Sequence, residues 1–204
     1  MLIYPSATGV LPGCPGYLLQ SSLVGVLTNT GAAPLSNIAI QVRGLGFPDF
    51  TNPNAVIPAS PNPHRLASAD DYFGPCANTG GQAGSIQTTL NGQPPIGFGA
   101  PIGSLAAGQS TNIFFRVYMP STGPVRLLVD VLAIVGPVST TESVENQRQV
   151  IRTMAIDVVP EANGKLTARV ISDEPATPKA ASGDDATATT PTRTPVVMAP
   201  GRRR

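Results

Sequence analysis

Asp70 and Asp71 are adjacent, and Asp49, Asn52, Asn54 and Asn62 lie upstream of them. Together these side chains offer the hard oxygen ligands that suit Ca²⁺ in a loop. Their spacing matches no EF-hand pattern, and Asx residues in loops ordinarily bond to their own backbone. Asp70 and Asp71 are therefore calcium candidates weighed against plain turn chemistry, and no other cofactor is expected. The sole histidine, His64, sits in "PNPHRL". A general base there needs an activated nucleophile and an orienting acid, and the chain contains no G-x-S-x-G elbow. A solvated loop histidine is expected. Two acids drawn from twelve define no glycosidase pair without geometry. Catalytic residues are expected to be none, and the protein is not expected to be an enzyme.

Cys14 and Cys76 lie in "PGCPG" and "FGPCANTGG". They lack C-x-x-C spacing, which argues against zinc. A disulfide is preferred over two free thiols. It would close a loop of about sixty residues and contribute about 4 kcal/mol on a chain-entropy account. Such a bond implies an oxidising place, so an extracellular, cell-surface or virion-surface location is expected. The N-terminus "MLIYPSATGVLPG" does not read as a signal peptide, since no basic segment precedes a long apolar one.

The elements that must position these residues are strands. Gly 21 and Pro 22 favour turns over long helices, and 41% hydrophobic content is enough for a core. Residues 17–29 form an apolar strand, and Thr28 to Asn37 a hairpin-like elbow. Ile38, Ile40 and Val42 then alternate with polar neighbours at the strand period of two. Residues 44–104 read as a loop-rich insertion with one strand, "GSIQTTL" (84–90). Order resumes at 105–136: a turn at Gly108-Gln109, a strand with Ile113, Phe115, Val117 and Met119 on one face, a hairpin turn at 120–123, and a run to Val135 apolar on both faces. A polar loop with one helical turn (140–149) and strands at 149–159 and 164–172 follow. Ile40, Val42, Ile113, Phe115, Leu127 and Val129 are expected to point inward. Phe114 and Tyr118 flank Arg116 on the opposite face; packing beneath the insertion is preferred over an exposed strip for sugar or protein.

Roughly seven or eight short strands without long helices indicate an all-β sandwich over residues 1–172. From Asp173 the composition shifts to Pro, Ala and Thr, a flexible tail over 173–204 that is expected to be disordered alone. Its one β-prone piece is Thr194, Pro195, Val196, Val197 and Met198, a partner-contact candidate for strand addition to a neighbour's sheet edge. The terminal "GRRR" lacks the long apolar span of a sorting signal. Charged residues make up 12% of the chain, against about 25% in ordinary soluble domains, with a net charge of +1. Scattered arginines exclude a nucleic-acid patch, and no apolar run reaches the roughly eighteen residues of a membrane span.

"TNTGAAPLSNIAIQV" (28–42) and "LAAGQSTNIFFRV" (105–117) resemble segments of the Ig-like modules of bacterial and archaeal surface proteins, the CARDB and DUF11-like groups. In those modules Thr-Asn-Thr-Gly ends one strand, Leu-x-Asn-Ile starts the next, and Leu-x-x-Gly-x-Ser precedes a later one. The resemblance covers about half the chain and implies an Ig-like sandwich that serves as spacer, adhesion unit or assembly unit. Gly31 is expected to adopt positive φ at the elbow, with Leu35 tucked beneath it. The function expected is a non-enzymatic structural subunit of an extracellular or particle-surface assembly, a filament, sheath or virion exterior. Its partners would be copies of itself or another surface or particle protein. The alternative is an adhesin or carbohydrate-binding accessory module of a secreted protein, with a glycan as partner. If Cys14 bonds Cys76, thiol titration of the unfolded, unreduced protein finds no free thiol; two titratable thiols would remove the bond.

Overall fold

The computed structural model describes residues 2–9, 19–57, 64–72, 80–90, 100–119, 123–161 and 166–176, with backbone alone for 2–9 and 19–22. In chain order the strands are β1 (Leu2–Gly9), β2 (Leu19–Thr28), β3 (Leu35–Pro48), β4 (Val56–Ile57), β5 (Arg65–Leu66), β6 (Ile86–Gln87), β7 (Ser110–Met119), β8 (Val125–Val135), β9 (Gln149–Pro160) and β10 (Leu166–Pro175). One helical turn, α1 (Val144–Gln147), separates β8 from β9, and the Ser143 side chain caps it by accepting from the Asn146 amide. Two antiparallel sheets result, with orders β1-β2-β7-β5 and β10-β9-β8-β3-β4, and β6 also pairs with β3. The fold is an all-β sandwich.

Cys14, Cys76, Asn62 and Thr194 to Met198 lie outside the described residues, as does the tail from 177 onward. β10 runs past the compositional change at Asp173 as far as Pro175, because the Asp173 carboxylate pairs with Arg152 on β9. The charged residues that suggested a tail are the end of a strand.

Ile40, Val42, Ile113, Phe115, Leu127 and Val129 are all buried in one cluster between the sheets. Alternation places Ile113, Phe115 and Val117 inward on β7. β3 is longer than its alternation suggests. A bulge between Val42 and Gly44 shifts parity, so the inward series continues at Leu45. Gly44 and Gly46 look like strand breakers but serve close approach. A Cβ on Gly44 would lie 2.9 Å from Leu128 Cδ1, and one on Gly46 would lie 2.8 Å from the Ile57 carbonyl oxygen. The strand expected at 84–90 is a regular strand only over Ile86–Gln87, which pairs with β3, while Thr89 makes an isolated bridge to Pro101.

Neither anticipated hairpin exists. β2 and β3 belong to different sheets, as do β7 and β8, so both connections cross the sandwich. Period-two alternation reports which face is buried and is silent on which strand lies alongside. The segment 44–104 is also more than an appendage, for it contributes Leu66, Ala67, Ala69, Tyr72 and Ile102 to the core.

The elbow is organised by Asn29, which is buried. Its Nδ2 donates to the carbonyls of Ala33 (2.9 Å) and Leu105 (3.0 Å), and its Oδ1 accepts from the Gly31 amide (3.0 Å). Its backbone N–H donates to Gln109 and its carbonyl accepts from Gly108. Leu35 and Leu105 exchange both backbone bonds. Gly31 is not among the positive-φ residues; the residue there with that conformation is Asn37, at φ 49°. The glycine is instead adjacent to the Asn29 side chain, whose Oδ1 would be 3.4 Å from a Cβ. Asn29→Asp removes two donors and faces a carboxylate towards two carbonyl oxygens. It should destabilise the fold by about 3 kcal/mol in urea titrations at neutral pH. An unchanged midpoint would show that the elbow does not depend on this side chain.

Candidate functional site

Asp70 and Asp71 act on different partners. The Asp70 carboxylate accepts from the Thr88 amide (3.1 Å) and the Thr88 hydroxyl (2.7 Å). Asp71 accepts from the Gly81 amide (3.1 Å) and the Ser85 hydroxyl (2.9 Å). Both therefore staple the returning segment 80–88 to residues 70–71. Among the described residues no three His, Cys, Asp or Glu side chains are grouped to hold a metal. Asp49 closes a turn by accepting from the Thr51 amide and hydroxyl and from the Asn52 amide. Those Thr51 bonds hold its carboxyl below the usual carboxylate range, and the Arg126 charge adds to the effect.

His64 is not solvated. It is fully buried, with its ring edge-on to Phe47 at 4.9 Å between centroids. Burial pushes its pKa down to about 4, with the neighbouring Arg65 charge acting in the same direction. A loop-like local sequence concealed this because the burial comes from strands distant in the chain. The strip on β7 is largely covered. Tyr118 is buried and packs edge-on to Tyr72 at 5.6 Å, and the Arg116 backbone bonds to Ala67 and to the Ser68 hydroxyl. Phe114 keeps 38% of its surface.

The sequence reading missed the outer face of the second sheet. There Arg126 of β8, Asp157 of β9 and Arg169 of β10 stand in register across three strands. Arg126 and Asp157 are buried and form a bidentate pair, Nε to Oδ1 at 2.6 Å and Nη2 to Oδ2 at 2.9 Å. The hydrogen bonds from Arg126 to Asp157 hold the guanidinium further into its charged form. Its Nη1 donates to the carbonyls of Asp49 (2.7 Å), Asn52 (2.9 Å) and Ala55 (3.3 Å). Arg169 has no ion pair with another described residue.

The segment held by Arg126 overhangs a groove of about 350 Å³ that includes Phe50, Val159, Arg169 and Ile171. Phe50 is 81% exposed and Ile171 43%. This groove offers an apolar contact with Arg169 beside it, and its lining also includes Asp49 and the Arg126–Asp157 pair. The visible signal was Arg126 and Asp130 inside the apolar run "VRLLVDVLAIV": charges in a central strand require partners.

A second opening lies at the other end of β3. It is a cleft of about 240 Å³ lined by Leu27, Leu35, Val131, Ile151 and Pro175 together with the elbow residues 28–31 and Arg152. No described helix is long and apolar enough to cross a membrane. No protein-family model, curated protein or solved structure matches the chain.

The unfolded imidazole takes its ordinary value of 6.5, so between pH 6.5 and 4 the unfolded state binds more protons than the folded one. The stability tied to neutral His64 is complete above that window, falls as pH drops through it, and changes no further below. The loss should be about 3 kcal/mol. Urea midpoints for the native chain and His64→Gln at several pH values isolate it from carboxylate titration. Parallel pH profiles for the two proteins would exclude the effect.

Proposed function

We propose that the chain is a non-enzymatic structural subunit of an extracellular or particle-surface assembly, built on an Ig-like sandwich and contacting copies of itself or another surface protein. The observation that carries this reading is the exposed apolar contact formed by Phe50 and Ile171 on the outer face of the second sheet. A ring 81% in water gains free energy when a partner covers it, on the order of 1.5–3 kcal/mol for a fully buried side chain. The resemblance of the elbow and of the 105–117 segment to surface modules supports placement outside the cell. Low charge supports it as well, since little repulsion opposes subunit contact.

A second reading rests on Phe50 and Arg169 together. An exposed ring beside an exposed cation suits a sugar with an anionic group, as an adhesin or carbohydrate-binding module would present it. The two readings separate in one set of experiments. An assembly subunit sediments faster as concentration rises, and Phe50→Asp with Ile171→Asp returns it to monomer while the urea midpoint changes little. A glycan-binding module stays monomeric and is retarded on affinity gels containing acidic polysaccharide, with Arg169→Gln abolishing the retardation. Concentration-independent monomer without retardation would reject both.

A further inference from the structure

We propose that the cleft at the Leu35 end of the sandwich is the docking site, in cis, for this chain's own segment Pro195–Met198. The cleft takes its walls from both layers, Leu27 of β2 on one side and Leu35, Val131 and Ile151 of β3, β8 and β9 on the other. The first three belong to the buried core and Ile151 packs against it. The opening therefore leads to the interlayer core and is not a surface dimple. An enclosed apolar cavity of about 150 Å³ accepts a benzene ring; this cleft of about 240 Å³, open to solvent and with polar elbow residues and Arg152 on part of its lining, has the volume for a valine or methionine side chain against its apolar walls.

The chain itself leaves at this mouth. Pro175 lines the cleft, the Ala176 amide donates to the Ile151 carbonyl (3.1 Å), and the Arg152–Asp173 ion pair holds this end of β10 in place. Beyond Ala176, residues 177–194 contain no valine, leucine, isoleucine, methionine or aromatic residue. Val196, Val197 and Met198 are the next side chains able to fill an apolar space. Pro195 and Pro200 bracket them and reduce the conformational entropy that docking removes. As a linker, 177–194 has a mean reach of about 23 Å, ample for a site at its own point of departure. Tethering of that kind gives an effective concentration in the millimolar range, above that of free second copies. The cis arrangement is favoured for that reason.

Strand addition to a neighbour's edge fits the sandwich less well. The long outer strands β1 and β10 lie beside one another, and on the other side β4 and β5 are two residues each. The inference is independent of the assembly reading, because the Phe50 contact lies at the opposite end of β3.

The chain has no tryptophan, so Met198→Trp gives a single reporter. In the full chain its emission should be blue-shifted, and its quenching by acrylamide several-fold weaker, relative to a peptide of residues 177–204 carrying the same substitution. Both values should hold on dilution. Ile151→Asp in a cleft wall and Thr30→Arg on the exposed rim should each return the emission to that of the peptide. Thr30→Arg should do so with a single cooperative urea transition retained, which guards against mere unfolding. Peptide-like emission in the full chain, or emission insensitive to both cleft substitutions, would overturn the proposal. A blue shift lost on dilution would overturn it too, by placing the segment in a second copy.

Discussion

Arg126 ties a central strand to its neighbour and to a turn more than seventy residues earlier in the chain. Its guanidinium has five N–H donors in a rigid fork. Two of its nitrogens engage Asp157 on the neighbouring strand, and the third reaches three carbonyls of the 49–55 segment. Removing one partner of a buried pair costs roughly 3–5 kcal/mol, because the other charge is left without compensation. The geometry explains why an arginine and not a lysine stands in the middle of this strand: a point charge cannot bond bidentately to a carboxylate and still hold carbonyls on its far side. The same bonds fold residues 49–55 over the sheet. That placement sets Phe50 above the groove, while Gly44 and Gly46 let β4 approach closely enough to continue the cover.

At the other end of the sandwich a neutral group does similar work. Asn29 ties the crossing between the layers to the turn that precedes β7, so the segments 28–42 and 105–117 meet in space. Each segment alone is a generic turn followed by alternation. Their joint presence makes physical sense because Leu35 and Leu105 bridge, and because Asn29 can satisfy both loops only if both have the right length. Neutral hydrogen bonds of this kind contribute about 1 kcal/mol each net, yet an unmade bond at a buried site costs more than the made one adds. The elbow therefore specifies register more than it adds stability.

How much of this was legible in the sequence follows from range. Ile38, Ile40 and Val42, and Ile113, Phe115 and Val117, disclose their inward face because period two is a local property. The single helical turn before β9 was likewise local, set by a Ser cap. Features made by distant partners were not legible. Gly44 and Gly46 resemble a break until β4 and Leu128 are known to lie against them. His64 resembles a solvated loop residue until Phe47 is placed on its ring. Asp173 resembles the start of a tail until Arg152 is placed beside it. The Phe50 groove combines residues from β8, β9, β10 and the 49–53 turn, and no window of sequence contains all four.

The scarcity of charge takes on a sharper meaning once the pairs are located. Arg126 and Asp157 are withdrawn from the surface, Asp130 is buried beside Arg43, and Asp173 is engaged by Arg152. Among the described residues free surface charge is thus scarcer than the composition of 12% already indicates. On such a surface an approaching partner meets little repulsion and has few ions to strip of water, which are the two largest electrostatic costs of a contact. A modest apolar feature such as Phe50 with Ile171 can then decide where contact occurs. The price of the low charge would be indiscriminate sticking, and the fold limits this by the means available to an all-β protein. Its outer strands are short on one side and set against each other on the other, so the proposed contact is one of side chains and not of a bare backbone edge.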